Sequence, residues 1–119
     1  MVVKSTGLGA KLRKKRRKLA KVKFVMFSGR YVRGQKPTKD EVDMLVIGDI
    51  DLNVLQDLVK PEEKKLDREL NYAVFSEEEF EFRKTRRDPF IMEILYSSRV
   101  MVIGSEVEFV HREVPGLNQ

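Results

Sequence analysis

The spacing of hydrophobic positions changes along the chain, and this spacing distinguishes strands from helices. Nearly continuous apolar runs at residues 22–28 and 42–48 are typical of buried strands, the second having apolar residues on both faces. Residues 69–75 and 99–104 predict two further strands. Between residues 52 and 59, leucine and valine recur at helical intervals, which predicts a helix there.

Capping residues mark where several helices begin. Asp49 and Asp51 precede the helix that starts near residue 52, and either carboxylate is suited to cap it. Ser76 with Glu79 forms a capping box, which predicts a helix over 77–84. Asp88 followed by proline predicts another helix through residue 95. Residues 61–68 begin with proline, which leaves open a kinked extension of the preceding helix or a second short helix.

The two ends of the chain have weaker patterns. Leu8, Leu12 and Leu19 fall near one helical stripe, which predicts a basic amphipathic helix over about residues 8–20. Residues 105–119 read as a loose tail. Four strands alternating with helices predict an α/β fold, and 119 residues are enough for one domain spanning 1–119.

Composition excludes several classes of site. The chain has no cysteine and a single histidine, so disulfides, thiolate metal sites and histidine clusters are excluded. No apolar run approaches the roughly 20 residues that a membrane helix requires, and the N-terminus lacks the apolar core of a secretory signal. We therefore expect a cytoplasmic protein without a membrane partner.

The net charge of +5 hides a strong asymmetry, because residues 1–40 contain one acid and residues 41–119 are net acidic. Much of the positive charge lies in one basic segment, defined here as Lys11, Arg13, Lys14, Lys15, Arg16, Arg17 and Lys18. Such a segment fits a nucleic-acid contact, a contact to the acidic half of the domain, or a solvated helix face. It contains no aromatic residue, so base stacking is not indicated.

A glycine-bearing loop leads into the second strand. Glu41 and Asp43 are two residues apart, so in a strand they would point to one face and suit Mg²⁺. The loop contains Gly29 and Gly34, which would allow close backbone approach to phosphates, and Arg30, Arg33 and Lys36, which would offset their charge. The alternative is an ordinary solvated loop with acids at a strand end.

These segments resemble a known family. The order Ser28-Gly29, Arg33-Gly34, then Glu41-Val42-Asp43-Met44-Leu45-Val46-Ile47-Gly48-Asp49 resembles the minimal nucleotidyltransferases of the DNA polymerase β-like superfamily. The stretches Glu69–Tyr72, Ser76–Phe80 and Asp88–Leu95 also match that group. The similarity is strongest to prokaryotic members in which the domain often follows a winged-helix domain. It implies a nucleotidyltransferase-like fold with a small mixed sheet of about four strands.

The resemblance also implies an activity and its residues. It assigns phosphate binding to Ser28, Gly29, Arg30, Arg33 and Gly34, and it assigns Mg²⁺ binding and catalysis to Glu41 and Asp43. The implied ligand is a magnesium-bound nucleoside triphosphate, whose α-phosphate an acceptor hydroxyl attacks.

Three positions depart from the family pattern. Arg30 stands where the motif has serine, Glu41 replaces aspartate, and Asn71 takes the place of the third acid, with Glu69 as a neighbouring carboxylate. The sequence therefore leaves open an active nucleotidyltransferase or a catalytically degenerate regulatory or nucleic-acid-binding module. A protein partner and a homodimer are also compatible with it.

Overall fold

The computed structural model describes residues 7–111. The strands are β1 (Ala20–Ser28), β2 (Met44–Ile50), β3 (Tyr72–Phe75) and β4 (Arg99–Ile103). The helices are α1 (Gly7–Lys14), α2 (Gly29–Val32), α3 (Leu52–Leu66), α4 (Glu77–Thr85), α5 (Pro89–Tyr96) and α6 (Glu106–Val110).

The four strands form one mixed sheet in the order β3-β2-β1-β4. Strand β1 is antiparallel to both of its neighbours, β2 and β4, whereas β2 and β3 are parallel. The parallel pair is joined through α3, as a parallel connection requires a crossover. The predicted α/β class with a mixed four-stranded sheet is confirmed.

Each face of the sheet carries its own apolar cluster. The first cluster includes Leu8, Leu12 and Leu19 with residues of α3, so α1 and α3 pack on one face. The second includes Phe80, Ile91 and Phe109, which places α4, α5 and α6 on the other face. The sheet is therefore the middle layer, and β1 and β2 are buried on both sides as their apolar runs predict.

The capping predictions are confirmed for three helices. Asp51 accepts hydrogen bonds from two amides at the start of α3, Ser76 accepts one from Glu79 N in α4, and Asp88 accepts one in α5. Of the two aspartates proposed for α3, Asp51 is the cap. Helix α3 continues through Pro61 to Leu66, so the region is one helix rather than two.

The basic helix is shorter than predicted. It ends at Lys14, and a turn leads to Ala20, the first residue of β1, which has a positive φ of 76°. Neighbouring like charges at helical spacing weaken a helix. The Leu19 carbonyl accepts a hydrogen bond from Asp51 N, so the turn is tied to the end of β2.

The prediction of a loose tail is wrong for its first part. Residues 106–110 form α6, capped by Ser105, and Phe109 is fully buried against Phe24 and Phe80. The buried Lys84 ammonium donates to the carbonyls of Phe109 and of residue 111. Residues 112–119 lie outside the described residues. The third strand is also shorter than predicted, since it begins at Tyr72 and not at residue 69.

Across residues 7–111, every helix falls short of the length and apolarity needed to cross a membrane.

Candidate nucleotide site and basic surface

Asp43 is buried and engaged by an arginine. Its carboxylate receives two hydrogen bonds from the Arg68 guanidinium, Nη1 to Oδ2 at 2.9 Å and Nη2 to Oδ1 at 3.0 Å. The Asn71 amide donates to Oδ2 at 2.8 Å. The Asp43 side chain is 1% exposed and that of Arg68 is 18% exposed. Asp43 therefore forms a bidentate ion pair that is closed to solvent on the aspartate side.

The Glu41 side chain has different partners from that of Asp43. Strand β2 begins at Met44, so both residues precede it, and the alternation expected of a strand does not apply to them. Glu41 Oε1 accepts from Thr38 N at 2.8 Å and pairs with Arg30 Nε at 3.3 Å. The hydrogen bonds from Thr38 lower the pKa of Glu41 below its usual value, with a smaller contribution from Arg30. The prediction that the two acids share one strand face is wrong.

The amides after β1 are largely used within the protein. Ser28 N donates to the Asp43 carbonyl at 2.9 Å, and Gly29 N donates to the Ser98 carbonyl at 2.8 Å. The Ser28 hydroxyl caps α2 by accepting from Tyr31 N. These bonds satisfy amides that a phosphate cradle would need to present. The loop and the residues before β2 are neighbours, as predicted. However, the Ser28 amide is bonded to the Asp43 carbonyl and is therefore not available to a phosphate.

Glycine is favoured at the two loop positions, 29 and 34, for different physical reasons. A Cβ at Gly29 would lie 1.9 Å from Ser98 Oγ and 3.0 Å from Ser98 Cβ, so glycine permits α2 to pack closely against the start of β4. Gly34 has a φ of +78°, which glycine adopts readily, and its surroundings are open. Arg33 donates to Gln35 and to Ser98 Oγ, both uncharged, so it remains available to an anion.

Three residues that the sequence analysis did not single out complete the site. Arg68 holds Asp43, and this ion pair raises the pKa of the guanidinium further. Beside it, the Tyr31 hydroxyl donates to Glu62 Oε2 at 2.5 Å. Burial is the main cause that raises the pKa of Tyr31, and this hydrogen bond is the second. Arg68 and Asp43 are 25 residues apart in sequence, and no local spacing signal links them.

Two open grooves flank this arrangement. The first, of about 630 Å³, is lined by Asp40, Glu41, Glu93 and Lys39 together with parts of β3 and α5, so its charged residues are mainly acidic. The second, of about 510 Å³, contains Arg68 in its wall. Its other cations are Arg33, Lys36 and Lys65, and these outnumber Glu62, the single acid among the described residues that line it. An anion would therefore be attracted to the second groove rather than to the first.

The predicted Mg²⁺ site does not fit the residues as they are arranged. Asp43 Oδ2 already accepts two hydrogen bonds and Oδ1 accepts one, while Arg68 supplies the positive charge that a cation would bring. Asn71 is uncharged, and its side-chain amide donates to the Glu41 carbonyl. In residues 7–111 no three potential metal-ligating residues of the His, Cys, Asp and Glu types come together. Binding of Mg²⁺ stays a prediction, and it requires Arg68 to leave Asp43.

The basic segment begins on α1, whose buried residues are Leu8, Gly9 and Leu12, and continues through the turn that follows Lys14. Leu8 and Leu12 are buried against the sheet, which directs the cations between them and beyond them outward. Arg13, Lys14 and Arg16 line a third groove, of about 660 Å³, together with residues 101–104 at the end of β4. The structure thus brings part of the basic segment to the β4 edge of the sheet.

Comparisons with known proteins give little further information. No family model matches the sequence, and no curated protein matches it. Among solved structures, a chain from a crystal structure of a mutant toxin–antitoxin MntA–HpeT is similar with a TM-score of 0.42 and 11% identity, covering 87% of this chain and 78% of that chain. A likeness of this strength does not identify a family.

Proposed function

We propose that this chain is a nucleotidyltransferase-like domain that acts by binding and does not catalyse nucleotidyl transfer. The bidentate ion pair between Arg68 and the buried Asp43 carries this proposal. Nucleotidyl transfer depends on carboxylates that hold Mg²⁺ against the phosphates. Here an arginine neutralises the aspartate that best matches the family motif.

The surroundings of the ion pair support the same conclusion. Glu41 pairs with Arg30, so each member of the acid pair has its own guanidinium partner. Asn71 lies beside Asp43 but supplies amide groups in place of a third carboxylate. Because both acids of the motif are already paired with arginines, neither offers a free carboxylate to a divalent cation.

A metal and nucleotide titration tests this proposal. We expect the amide NMR signals of residues 41–43 and 71 to be unchanged by Mg²⁺, alone or with any nucleoside triphosphate. We also expect no transfer of an α-³²P-labelled nucleotide to protein or nucleic-acid acceptors. Label transfer by the purified protein that disappears in an Asp43→Asn variant would overturn the proposal.

The second candidate is an active nucleotidyltransferase that binds a magnesium nucleotide. It is favoured by the position of Arg68 in the wall of the groove of about 510 Å³, beside Arg33, Lys36 and Lys65. A triphosphate bound there would compete with Asp43 for Arg68 and would release the carboxylate. In that case Mg²⁺ alone leaves the signals of residues 43 and 71 unchanged, and Mg²⁺ with a triphosphate shifts them.

A matched pair of variants separates the two candidates. Lys65 lines the groove, whereas the adjacent Lys64 is exposed and does not. If the second candidate is correct, Lys65→Gln weakens triphosphate binding and Lys64→Gln does not. If the proposal is correct, neither variant changes the absence of nucleotide transfer.

A further inference from the structure

The basic segment, Lys11 to Lys18, concentrates exposed cations on a rigid part of the fold. Leu12 and Leu19 are fully buried on either side of most of these cations, so the backbone of α1 and the following turn is anchored to the sheet. The turn is also closed by backbone hydrogen bonds, such as Lys18 N to the Lys15 carbonyl. The cations are thus presented by an ordered surface and not by a free tail.

The cations of this segment lack acidic partners among the described residues. None of them forms a salt bridge with any residue of 7–111. Three acids of α4, Glu77, Glu79 and Glu81, pair instead with Lys23, Arg83 and Lys84. Within the described part of the chain, the acidic half of the domain therefore does not neutralise the basic segment.

The groove beside the segment suits a polyanion. One side is formed by Arg13, Lys14 and Arg16, and the other by residues 101–104. Among the strands of residues 7–111, β4 pairs with β1 alone and so is at the edge of the sheet. An edge strand presents unpaired amides, and such donors commonly bind phosphate oxygens alongside lysine and arginine.

The same groove is unsuited to reading bases of a single strand. The described residues that line it are basic, apolar or glycine, and none of these is aromatic. Binding to single strands relies on aromatic side chains that stack on the bases. A duplex needs only clustered cations, because its outer surface is a regular array of phosphates.

We infer that the basic segment and the groove at the β4 edge bind the phosphate backbone of duplex nucleic acid, independent of its sequence. This inference names the ligand of the binding role proposed above and rests on that role. Arg13 and Arg16 contact phosphates from the groove, and about two further cations of the segment contact phosphates on either side.

Salt dependence of binding gives the sharpest test. If about four of the cations contact phosphates, the slope of log K against log[salt] is about −3.6, and affinity falls about 150-fold between about 50 and about 200 mM KCl. Fluorescence anisotropy with labelled DNA and RNA duplexes of arbitrary sequence measures this slope. A single strand of the same length serves as the comparison, and it should bind more weakly.

Two double variants with equal charge change provide the control. Arg13→Gln/Arg16→Gln removes two exposed arginines from the groove, and we expect the slope to become shallower by about 1.8. Arg86→Gln/Arg87→Gln removes two exposed arginines after α4, on the opposite face of the sheet, and we expect the slope to be unchanged. Circular dichroism is the control measurement that checks whether both variants fold.

Several results would overturn the inference. These are absence of duplex binding at low salt, an equal effect of the two double variants, and tighter binding to the single strand than to the duplex. These binding results are distinguishable from results that contradict the proposed function, because nucleotide transfer is measured in a separate assay. Transfer together with duplex binding contradicts the proposed function alone, and absence of both contradicts this inference alone.

Discussion

Replacing Arg68 with methionine should destabilise the fold substantially, because it leaves the buried Asp43 carboxylate without its counter-charge. Removing one partner of a buried ion pair costs about 3–5 kcal/mol. The Asp43 side chain is 1% exposed, but that of Arg68 is 18% exposed, so water can replace part of the guanidinium. The bond from Asn71 N to Asp43 also remains. We therefore expect a loss at the lower end, about 3 kcal/mol.

Urea unfolding followed by circular dichroism measures this loss. For a chain of this size, a loss of about 3 kcal/mol corresponds to a fall in Tm of about 12 °C. Arg17→Met is the matched control, because Arg17 is exposed and has no salt bridge among the described residues. The control should change the free energy of unfolding by less than about 0.5 kcal/mol.

A double-mutant cycle with Asp43→Asn isolates the ion pair. The amide keeps the shape of the aspartate but lacks the charge, so Arg68→Met should cost much less in the Asp43→Asn background. We expect a coupling free energy of about 2 kcal/mol. A coupling near zero, with a small effect of Arg68→Met alone, would refute the reasoning, because Asp43 would then be free to hold a cation.

Three further variants test other parts of the structure. Gly29→Ala should cost about 1–3 kcal/mol in urea unfolding, because its Cβ would collide with Ser98, and Ser98→Gly in the same chain should restore most of it; no rescue would contradict the close approach. Phe109→Ala should lower the free energy of unfolding by about 3–5 kcal/mol, because the ring is fully buried. A negligible change would support the sequence-based prediction that residues 105–111 form a loose tail. Glu41→Gln should lower stability at pH 7 but not at about pH 3, because the hydrogen bonds from Thr38 depress the pKa of Glu41 in the folded state. The ionised carboxylate therefore stabilises the fold above its unfolded pKa of 4.5, and this stabilisation is lost as the pH falls through the folded-state pKa. Parallel stability curves of this variant and the wild type over that range would contradict the Thr38 contact.

The elements predicted correctly are those whose signals are local. The long apolar runs of β1 and β2 predicted interior strands, and the carboxylate or hydroxyl caps at Asp51, Ser76 and Asp88 predicted helix starts, because a cap acts over three residues. The presence of α6 depends on distant contacts. Phe109 is buried only because Phe24 and Phe80 lie across from it, which no local pattern reveals.

The sequence predicted which segments form the candidate site but not how their side chains are arranged. The sequence indicated that the loop after β1 and the residues before β2 would be neighbours, and they are, through Ser28 N and the Asp43 carbonyl. It could not indicate that β2 starts only at Met44, which removes the alternation between Glu41 and Asp43. Nor could it indicate Arg68, because an ion pair across 25 residues is decided by how α3 returns to the sheet.

The strand order has a consequence for how the chain is made. Strand β1 is synthesised first but lies between β2 and β4, and β4 comprises residues 99–103. While the nascent chain emerges from the ribosome, one side of this apolar strand has no pairing partner until nearly all the described residues have been translated. Unpaired apolar edges are prone to association. We therefore expect translation pauses before residue 99, or chains truncated there, to increase aggregation and chaperone recruitment.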